Sequence, residues 1–296
     1  MNIPLSQPDG RLSCLHTHTL FCDGKDDVET MCRVAFEKGL WAIGFSSHGP
    51  IFRKTGIKSN WHLPDERLDE YIEAVLTARR RWEGKLAVFL GLEVDYIKGL
   101  RSAMDPDIRA LNLDYIIGSV HYLVPAGGNV AAEPFTVDGS PEELDRGVRE
   151  GFGGDNEAMM HAYWDAVAEM IALGGFDILG HVDLVKKNNQ DGSRFNMESE
   201  AYCRRCAETA KAAGQAAGQA AGQAAGQAAG PVVEVNTGGL NRKRISETYP
   251  SVALLRLFRE QGVRTIITAD AHRAEDLDGH YDFARQALRE AGYDAV

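Results

Sequence analysis

The sequence has few cysteines, no long apolar run and a deficit of basic residues, and each shortage excludes a class of protein. Five cysteines in 296 residues are an odd and small number for a disulfide-stapled secreted fold. No apolar run approaches the ~18 residues of a membrane span. Lys+Arg 32 against Asp+Glu 43 gives a net charge of −11, which argues against nucleic acid or an anionic membrane as a partner. With no export pattern in residues 1–10, we expect a cytoplasmic protein with free thiols.

The remaining composition is that of a globular protein. Hydrophobic residues make up 44% of the chain and charged residues 25%, which is enough apolar material for a large core. Dividing the length by roughly 150 residues suggests two domains, but one α/β barrel commonly takes about 250 residues. No stretch has the composition of a linker. We therefore expect a single domain over residues 1–296.

Short apolar, β-branched runs alternate with longer stretches of helical spacing. The predicted strands are Leu12–Leu15, Trp41–Phe45, Leu86–Leu92, Tyr115–Val120, Phe176–Leu179, Val232–Val235 and Thr265–Thr268. The predicted helices are Val28–Lys38, Pro64–Arg81, Glu157–Leu173, Ser199–Ala213 and Ser251–Gln261. This alternation predicts βα units around a mostly parallel sheet. Seven strands favour a barrel over an open sheet, although periodicity alone does not separate the two.

Two segments interrupt the alternation. Residues 49–63 are polar and predict a loop that covers another part of the fold. Residues 212–230 repeat the tetrapeptide Ala-Ala-Gly-Gln. Alanine favours a helix, but each glycine costs about 1 kcal/mol relative to alanine. We interpret the repeat as a low-complexity insertion of irregular conformation, which loop entropy tolerates, with a thin helical extension as the alternative.

Chemically active side chains follow most of the predicted strands. Six of the nine histidines lie at strand ends, together with several carboxylates. The segments are His16-Thr17-His18 with Asp23, Ser46-Ser47-His48, Glu93-Val94-Asp95, Ser119-Val120-His121, His181-Val182-Asp183 and Asp270-Ala271-His272. In α/β barrels the loops after the carboxyl ends of the strands build the active site. The pattern therefore gathers imidazoles and carboxylates at one end of the predicted barrel.

The spacing of these side chains indicates a metal cluster. Residues two apart on an extended chain point to the same side, so His16 and His18 can share one space, as can Asp270 and His272. A single histidine at a strand end is usually an ordinary hydrogen-bonded side chain, but six of them with two such pairs are typical of metal ligands. A thiol-free set of imidazoles and carboxylates suits zinc, manganese or iron.

These motifs resemble the polymerase-and-histidinol-phosphatase (PHP) superfamily. The resemblance covers residues 15–285 and is carried by the HxH opening, Ser-Ser-His, Gly-Leu-Glu, Gly-Ser-Val-His, Gly-His-Val-Asp and the closing Asp-Ala-His. Residues 114–123 and 234–240 are most similar to the monofunctional histidinol-phosphate phosphatases. The resemblance implies an α/β fold, a distorted (β/α)7 barrel of the PHP type, with three divalent metal ions.

The resemblance also implies which residues hold the ions. His16, His18, Glu93 and Asp270 would hold the first ion. Glu93 would also bind the second ion, together with His121 and His181. The third ion would be held by Asp23, His48 and His272. Asp23 stands where many family members have a histidine, and a carboxylate can serve there.

The expected chemistry is hydrolysis of a phosphate monoester. Two ions that share Glu93 would lower the pKa of a bridging water, would supply a hydroxide for attack on phosphorus and would offset the developing charge. Asp183, two residues after His181, is either the general acid for the leaving alkoxide or a carboxylate that orients the imidazole. Basic residues follow the fifth and sixth strands, and those expected to bind phosphate are Lys186, Arg242 and Lys243. A solvated surface charge is the alternative for each of them.

The subfamily resemblance implies a histidinol-phosphatase, which converts L-histidinol phosphate to L-histidinol and phosphate in histidine biosynthesis. The first alternative is another PHP phosphoesterase that acts on nucleotides or phosphotyrosine; an exonuclease fits the net charge of −11 less well. A non-catalytic metal-binding module would lack ligands, and none is missing. A metal-dependent amidohydrolase often has a lysine between its metals, where this sequence has Glu93. The expected partner is a small phosphate ester, with no nucleic acid and no membrane.

Overall fold

Seven parallel strands form the centre of the molecule. The computed structural model describes residues 12–125, 133–222 and 230–293. The strands of the central sheet are β1 (Ser13–Cys14), β2 (Ala42–Phe45), β3 (Ala87–Asp95), β4 (Tyr115–Ser119), β7 (Ile178–Leu179), β8 (Val232–Asn236) and β9 (Thr265–Thr268). They pair in the order β1-β2-β3-β4-β7-β8-β9, each parallel to its neighbour. All seven predicted strands are therefore confirmed, in the predicted chain order.

The two edges of this sheet meet just beyond β1 and β9. Thr17 and Ala271 form a parallel bridge. The amide of His18 donates to the carbonyl of Ala271 at 2.9 Å, and the amide of Ala271 donates to the carbonyl of His16 at 3.0 Å. The sheet is thereby nearly closed into a seven-stranded barrel, which confirms the predicted distorted (β/α)7 architecture.

The barrel strands are apolar on both faces. On β4, Tyr115 and Ile117 belong to one buried cluster and Ile116 to another, as the period of two requires. The smaller cluster fills the barrel interior and also contains Leu15, Ala42, Phe89, Ile178, Val232 and Ile266. The larger one packs the strands against helices. Burial of both faces explains why the strands appear in the sequence as nearly continuous apolar runs.

The five predicted helices are present at the outside of the barrel. They are α1 (Val28–Glu37), α3 (Leu68–Arg81), α6 (Asn156–Leu173), α7 (Glu200–Gly222) and α9 (Val252–Glu260). The helices that the sequence analysis did not predict are α2 (Phe52–Thr55), α4 (Pro106–Arg109), α5 (Pro141–Phe152), α8 (Gly238–Asn241) and α10 (Tyr281–Ala291). The start of α5 carries a capping box, in which Ser140 and Glu143 bond each other's backbone amides. Within the described ranges, no helix is long and apolar enough to cross a membrane.

Two connections lie around the end of the barrel where the histidines gather. Residues 49–63, the predicted covering loop, contain α2, and residues 55–61 line a cavity there. After β4, the strands β5 (Tyr122–Leu123) and β6 (Phe135–Thr136) pair antiparallel. Residues of both connections therefore form part of the wall around the strand ends.

The first half of the Ala-Ala-Gly-Gln repeat is helical. Helix α7 continues to Gly222, so the expectation of an irregular conformation is wrong for residues 212–222; residues 223–229 lie outside the described part of the chain. A Cβ at Gly214 would lie 2.8 Å from the Cβ of Gln261, at the end of α9. Glycine thus lets α7 approach α9 closely, and this packing offsets the weak helix propensity of the repeat.

Candidate metal centre

Glu93 lies at the centre of a ring of imidazoles. Its position on β3 points it into the barrel above the apolar interior, and its side chain is 1% exposed. The carboxylate oxygens are 2.8 Å from His181 Nε2 and 2.9 Å from His48 Nδ1. Three further imidazole nitrogens approach them: His16 at 3.3 Å, His18 at 3.6 Å and His121 at 3.7 Å. One buried anion is therefore shared by five histidines that come from four segments of the chain.

His16 and His18 both point into the barrel, as their spacing predicts. Both are fully buried, and their ring centroids are 5.1 Å apart. The hydrogen bonds that close the barrel hold the backbone of this segment. Burial and the neighbouring His272 and His48 lower the pKa of His18 to about 3. His18 is therefore neutral at physiological pH, the form in which histidine binds a metal.

Asp270 reaches the same space from the end of β9. Its backbone has φ 46, a left-handed conformation that aspartate tolerates better than most residues. Its Oδ1 lies 3.2 Å from His18 Nε2, and its Oδ2 accepts a hydrogen bond from Arg242 at 2.8 Å. A Cβ at Gly238 would lie 2.8 Å from Asp270 Oδ2, so glycine is needed for this close approach.

A second cluster faces the cavity. His272 Nε2 lies 3.1 Å from Asp23 Oδ2, and His48 Nε2 lies 3.8 Å from Asp23 Oδ1. The ring of His272 stacks on that of His18 at 4.2 Å between centroids. Asp23 is 31% exposed, which makes this cluster more accessible than the one around Glu93.

All nine predicted ligands fall into groups that could hold a metal ion. In each group the candidate ligand atoms lie within 4.8 Å of one another; the groups are His18-Asp23-His48-His272, His16-Glu93-His181, His16-His18-Asp270 and His48-Glu93-His121. Several of these buried atoms lack a hydrogen-bond partner among the described residues: His16 Nε2, His18 Nε2, Asp23 Oδ1, His48 Nδ1 and Glu93 Oε2. Unpaired, buried and converging nitrogen and oxygen atoms fit divalent metal ions.

The carboxylates of the centre are ionised. Burial alone would raise the pKa of Glu93, but the imidazoles of His48 and His16 hold it well below its usual range. Burial would likewise raise the pKa of Asp270, and Arg242 holds it well below its usual range. Both side chains are therefore anions at neutral pH, as metal binding requires.

Glu234 is a functional candidate that the sequence analysis did not assign. It lies on β8, two residues after Val232, and therefore points into the barrel. Its Oε2 lies 2.8 Å from His16 Nδ1 and accepts from Thr268 at 2.7 Å, while its Oε1 accepts from the amide of His181 at 2.6 Å. This contact makes His16 Nδ1 the protonated nitrogen and leaves the Nε2 lone pair directed at Glu93. The sequence did offer one indication of Glu234: a carboxylate within the apolar run Val-Val-Glu-Val is unusual in a buried strand.

Asp95 has the corresponding role for His121. Its Oδ1 lies 2.8 Å from His121 Nδ1, and its Oδ2 lies 2.7 Å from His62 Nε2. Burial would raise the pKa of Asp95, but the adjacent His121 and His62 lower it. His121 is thereby oriented with Nε2 towards Glu93.

Comparison with known proteins identifies the family. A model of the PHP domain matches residues 15–218. The chain belongs to the PHP family. This PHP chain is 27% identical over 279 residues to a Deinococcus radiodurans protein named probable histidinol-phosphatase, with 94% of this chain and 92% of the relative covered.

Two solved structures share the fold of this PHP chain. A candidate histidinol phosphatase HisK from Listeria monocytogenes superposes with a TM-score of 0.74 at 23% identity, covering 92% of this chain and 99% of that one. The histidinol phosphate phosphatase HisK from Lactococcus lactis superposes with a TM-score of 0.65 at 20% identity, covering 96% and 95%. The Lactococcus structure is a complex with Zn, L-histidinol and phosphate.

A cavity of about 1300 Å³ opens beside the PHP metal centre. Its wall includes Asp23, His48, His121, His181, Asp270 and His272. Among the residues expected to bind phosphate, Arg242 lines this cavity, and so does the neighbouring Arg244. Lys243 is exposed outside it, so Lys243 is not placed to contact a ligand in the cavity.

Lys186 and Asp183 lie behind the cavity wall. Lys186 is 1% exposed, and its Nζ lies 2.8 Å from Asp183 Oδ2 and 3.0 Å from Glu247 Oε1. Asp183 is fully buried and accepts a hydrogen bond from the amide of Ser251. Neither side chain lines the cavity, and the expected roles of Lys186 as a phosphate ligand and of Asp183 as the general acid stay predictions. Lys187 lines the cavity instead.

Proposed function

We propose that this PHP chain is a histidinol-phosphatase that hydrolyses L-histidinol phosphate to L-histidinol and phosphate. The observation that carries the proposal is the buried Glu93 among five imidazoles, with a second histidine-carboxylate cluster facing an open cavity. The relative named histidinol-phosphatase over 94% of the chain supports the substrate. The Lactococcus structure with Zn, L-histidinol and phosphate supports it as well.

We propose that the centre holds three divalent ions. His16, His18, Glu93 and Asp270 would hold the first, Glu93, His121 and His181 the second, and Asp23, His48 and His272 the third. When bound, such ions supply Lewis acidity to the phosphate oxygens and lower the pKa of a water. Zinc is supported by the Lactococcus complex, and manganese and iron suit the same ligand types.

The residues of the chain itself bind and orient the substrate. Arg242, with a side chain 37% exposed, presents its guanidinium at the cavity wall while Asp270 holds it at 2.8 Å. Lys187 adds a second positive charge, anchored by Asp138. We propose that Arg242 and Lys187 bind the dianionic phosphate, because charge-assisted hydrogen bonds are the strongest that a side chain offers it.

We propose that the chain forms one cytoplasmic domain. His16 near one end of the described chain and His272 near the other contribute to one centre, which favours a single PHP domain. The five cysteines are free thiols in the structure, as a reducing compartment requires.

Phosphate release by the metal-loaded protein tests the substrate. Histidinol phosphate is compared with p-nitrophenyl phosphate, a mononucleotide and a phosphotyrosine peptide. We expect kcat/KM for histidinol phosphate to exceed the others by at least about a hundredfold, or ~2.7 kcal/mol of transition-state preference. Equal rates on all four would contradict the substrate while leaving a phosphoesterase; no release from any of them would contradict the proposed function.

Substitution of Glu93 tests the centre. Glu93→Gln removes the shared anion, so we expect loss of turnover and fewer ions per chain by elemental analysis. Glu169→Gln is the matched control, because Glu169 is a half-buried carboxylate that accepts from Tyr96 and Lys98 away from the cavity. A folded Glu93→Gln protein with normal activity and metal content would exclude the bridging role.

A further inference from the structure

Tyr249 has a buried hydroxyl without a hydrogen-bond partner among the described residues. The residue is 2% exposed, yet it lines the cavity beside the metal centre. Its ring centroid lies 6.4 Å from that of His181, a candidate metal ligand. Tyr249 thus forms part of the cavity wall, in the same lining as Arg242.

Four other buried tyrosines of the barrel bond backbone carbonyls. Each of their hydroxyls has a defined acceptor: Tyr71 donates to Gly91, Tyr115 to Leu15, Tyr163 to Val182 and Tyr281 to Ser13. A buried hydroxyl with no partner costs free energy, and such groups are rare in folded proteins. The Tyr249 hydroxyl therefore differs from these four, and a group bound in the cavity would supply the partner that the described residues do not.

The position of Tyr249 is fixed from several sides. Its amide donates to the carbonyl of Asn236 at 3.0 Å, and its carbonyl accepts from the amide of Asn236 at 2.7 Å, which ties it to the end of β8. A Cβ at Gly239 would lie 2.8 Å from the ring, so only glycine allows the ring to lie where it does. The ring is thus held at a defined point of the wall.

Lys186 and Asp183 complete this support from behind the wall. Lys186 Nζ donates to the carbonyl of Thr248 at 2.8 Å and lies 5.1 Å from the centroid of the Tyr249 ring. Asp183 accepts from the amide of Ser251 at 2.9 Å. This buried ion pair therefore holds the backbone on both sides of Tyr249.

We propose that the Tyr249 hydroxyl donates a hydrogen bond to the phosphate group of the substrate, next to Arg242. This inference rests on the proposed function, since it presupposes a phosphate ester in the cavity. A phosphate dianion offers only acceptors, and a phenol with an ordinary pKa near 10 is a donor throughout the physiological range. Burial raises the pKa of Tyr249 further, so the proton stays on the hydroxyl.

Tyr249→Phe tests the proposal, because it removes the hydroxyl and keeps the ring. Tyr293→Phe is the matched control; it removes a hydroxyl that donates to Val263 outside the cavity. For metal-loaded Tyr249→Phe we expect kcat/KM for histidinol phosphate to fall about ten- to a hundredfold, the worth of a hydrogen bond to a charged group. The inhibition constant of inorganic phosphate should rise by a similar factor, with unchanged metal content, whereas Tyr293→Phe should leave both constants unchanged.

A merely structural role would give a different result. The substitution would then change Tm or metal content and leave the inhibition constant of phosphate unchanged, and this outcome would overturn the proposal, as would wild-type kinetics in Tyr249→Phe. The increase in Tm that inorganic phosphate gives to the metal-loaded protein is a second readout that needs no turnover. We expect this increase to be smaller in Tyr249→Phe than in wild type; an equal increase would overturn the proposal. Inactivity of the wild-type protein towards every phosphate ester would instead count against the proposed function.

Discussion

Replacing Glu234 by glutamine is the sharpest test of how the metal centre is held. The carboxylate accepts four hydrogen bonds, two on each oxygen. Its Oε2 accepts from His16 Nδ1 at 2.8 Å and Thr268 Oγ1 at 2.7 Å, and its Oε1 accepts from the backbone amide of His181 at 2.6 Å and the side-chain Nδ2 of Asn236 at 2.9 Å. Glutamine keeps one oxygen and replaces the other with an amino group. The variant must therefore place an NH₂ where two donors now point.

The orientation of the new amide follows from which neighbours can adapt. The backbone amide of His181 has no alternative, so the remaining oxygen should stay on that side. The NH₂ group then faces Thr268 and His16. Thr268 can rotate its hydroxyl to accept, and His16 can move its proton from Nδ1 to Nε2. The proton on Nε2 would point towards Glu93 and block the lone pair that a metal needs.

The expected effect is therefore larger on metal binding than on folding. Loss of such a supporting carboxylate costs about 10- to 100-fold in metal affinity, which corresponds to roughly 1.4–2.7 kcal/mol. In Glu234→Gln, neutral hydrogen bonds replace charge-assisted ones. We therefore expect the free energy of unfolding of the metal-free protein to fall by about 1 kcal/mol. A titration against a competing chelator measures the first quantity and denaturant unfolding in EDTA the second. Metal affinity equal to that of wild type in a folded Glu234→Gln protein would refute the reasoning.

Further predictions concern metal removal, phosphate binding and pH. Dialysis against EDTA should abolish turnover, and divalent zinc or manganese should restore it; activity that survives complete metal removal would contradict the centre. Arg242→Met should raise KM for histidinol phosphate about tenfold or more, because a charged hydrogen bond to phosphate is lost; an unchanged KM would exclude that contact. Burial and the charge of Glu29 raise the pKa of Cys32 from 9.0 to about 12. The unfolded thiol then ionises first, so stability is lost as pH rises above 9, by about 1.4 kcal/mol at pH 10. In Cys32→Ala, the free energy of unfolding should fall by about 1.4 kcal/mol less between pH 8 and pH 10 than in wild type. The same fall in wild type and variant would contradict the raised pKa of Cys32.

The strands could be predicted because burial on both faces requires a recognisable pattern of residues. A parallel strand covered on both faces needs apolar residues at nearly every position, as in Tyr115–Ser119. The site could be predicted because parallel strands end at the same edge of the barrel. Residue types that follow these ends must therefore lie close together, and the structure brings all nine predicted ligands into overlapping groups.

Two kinds of feature could not be predicted from the sequence: the direction in which a side chain points, and contacts between residues that lie far apart in the chain. Glu234 appears in the sequence as part of a strand, and its partner His16 lies 218 residues away. Lys186 and Lys187 are neighbours, but the 3-10 turn after β7 buries one beneath Tyr249 and leaves the other on the cavity wall. Residue type and order do not encode that difference, since it is set by the geometry of a single turn.

The closure of the barrel through the His16–His18 segment and Ala271 has a consequence for the order of events in synthesis. The ligand pair His272 and Asp23 is separated by 249 residues, and the first imidazoles leave the ribosome long before Asp270 is made. Chains are synthesised at about 5–20 residues per second, so this interval lasts about ten seconds or more. During it, the growing chain carries His16 and His18 without the carboxylate that completes their group. The candidate ligand group of His16, His18 and Asp270 is thus complete only when most of the polypeptide has been made.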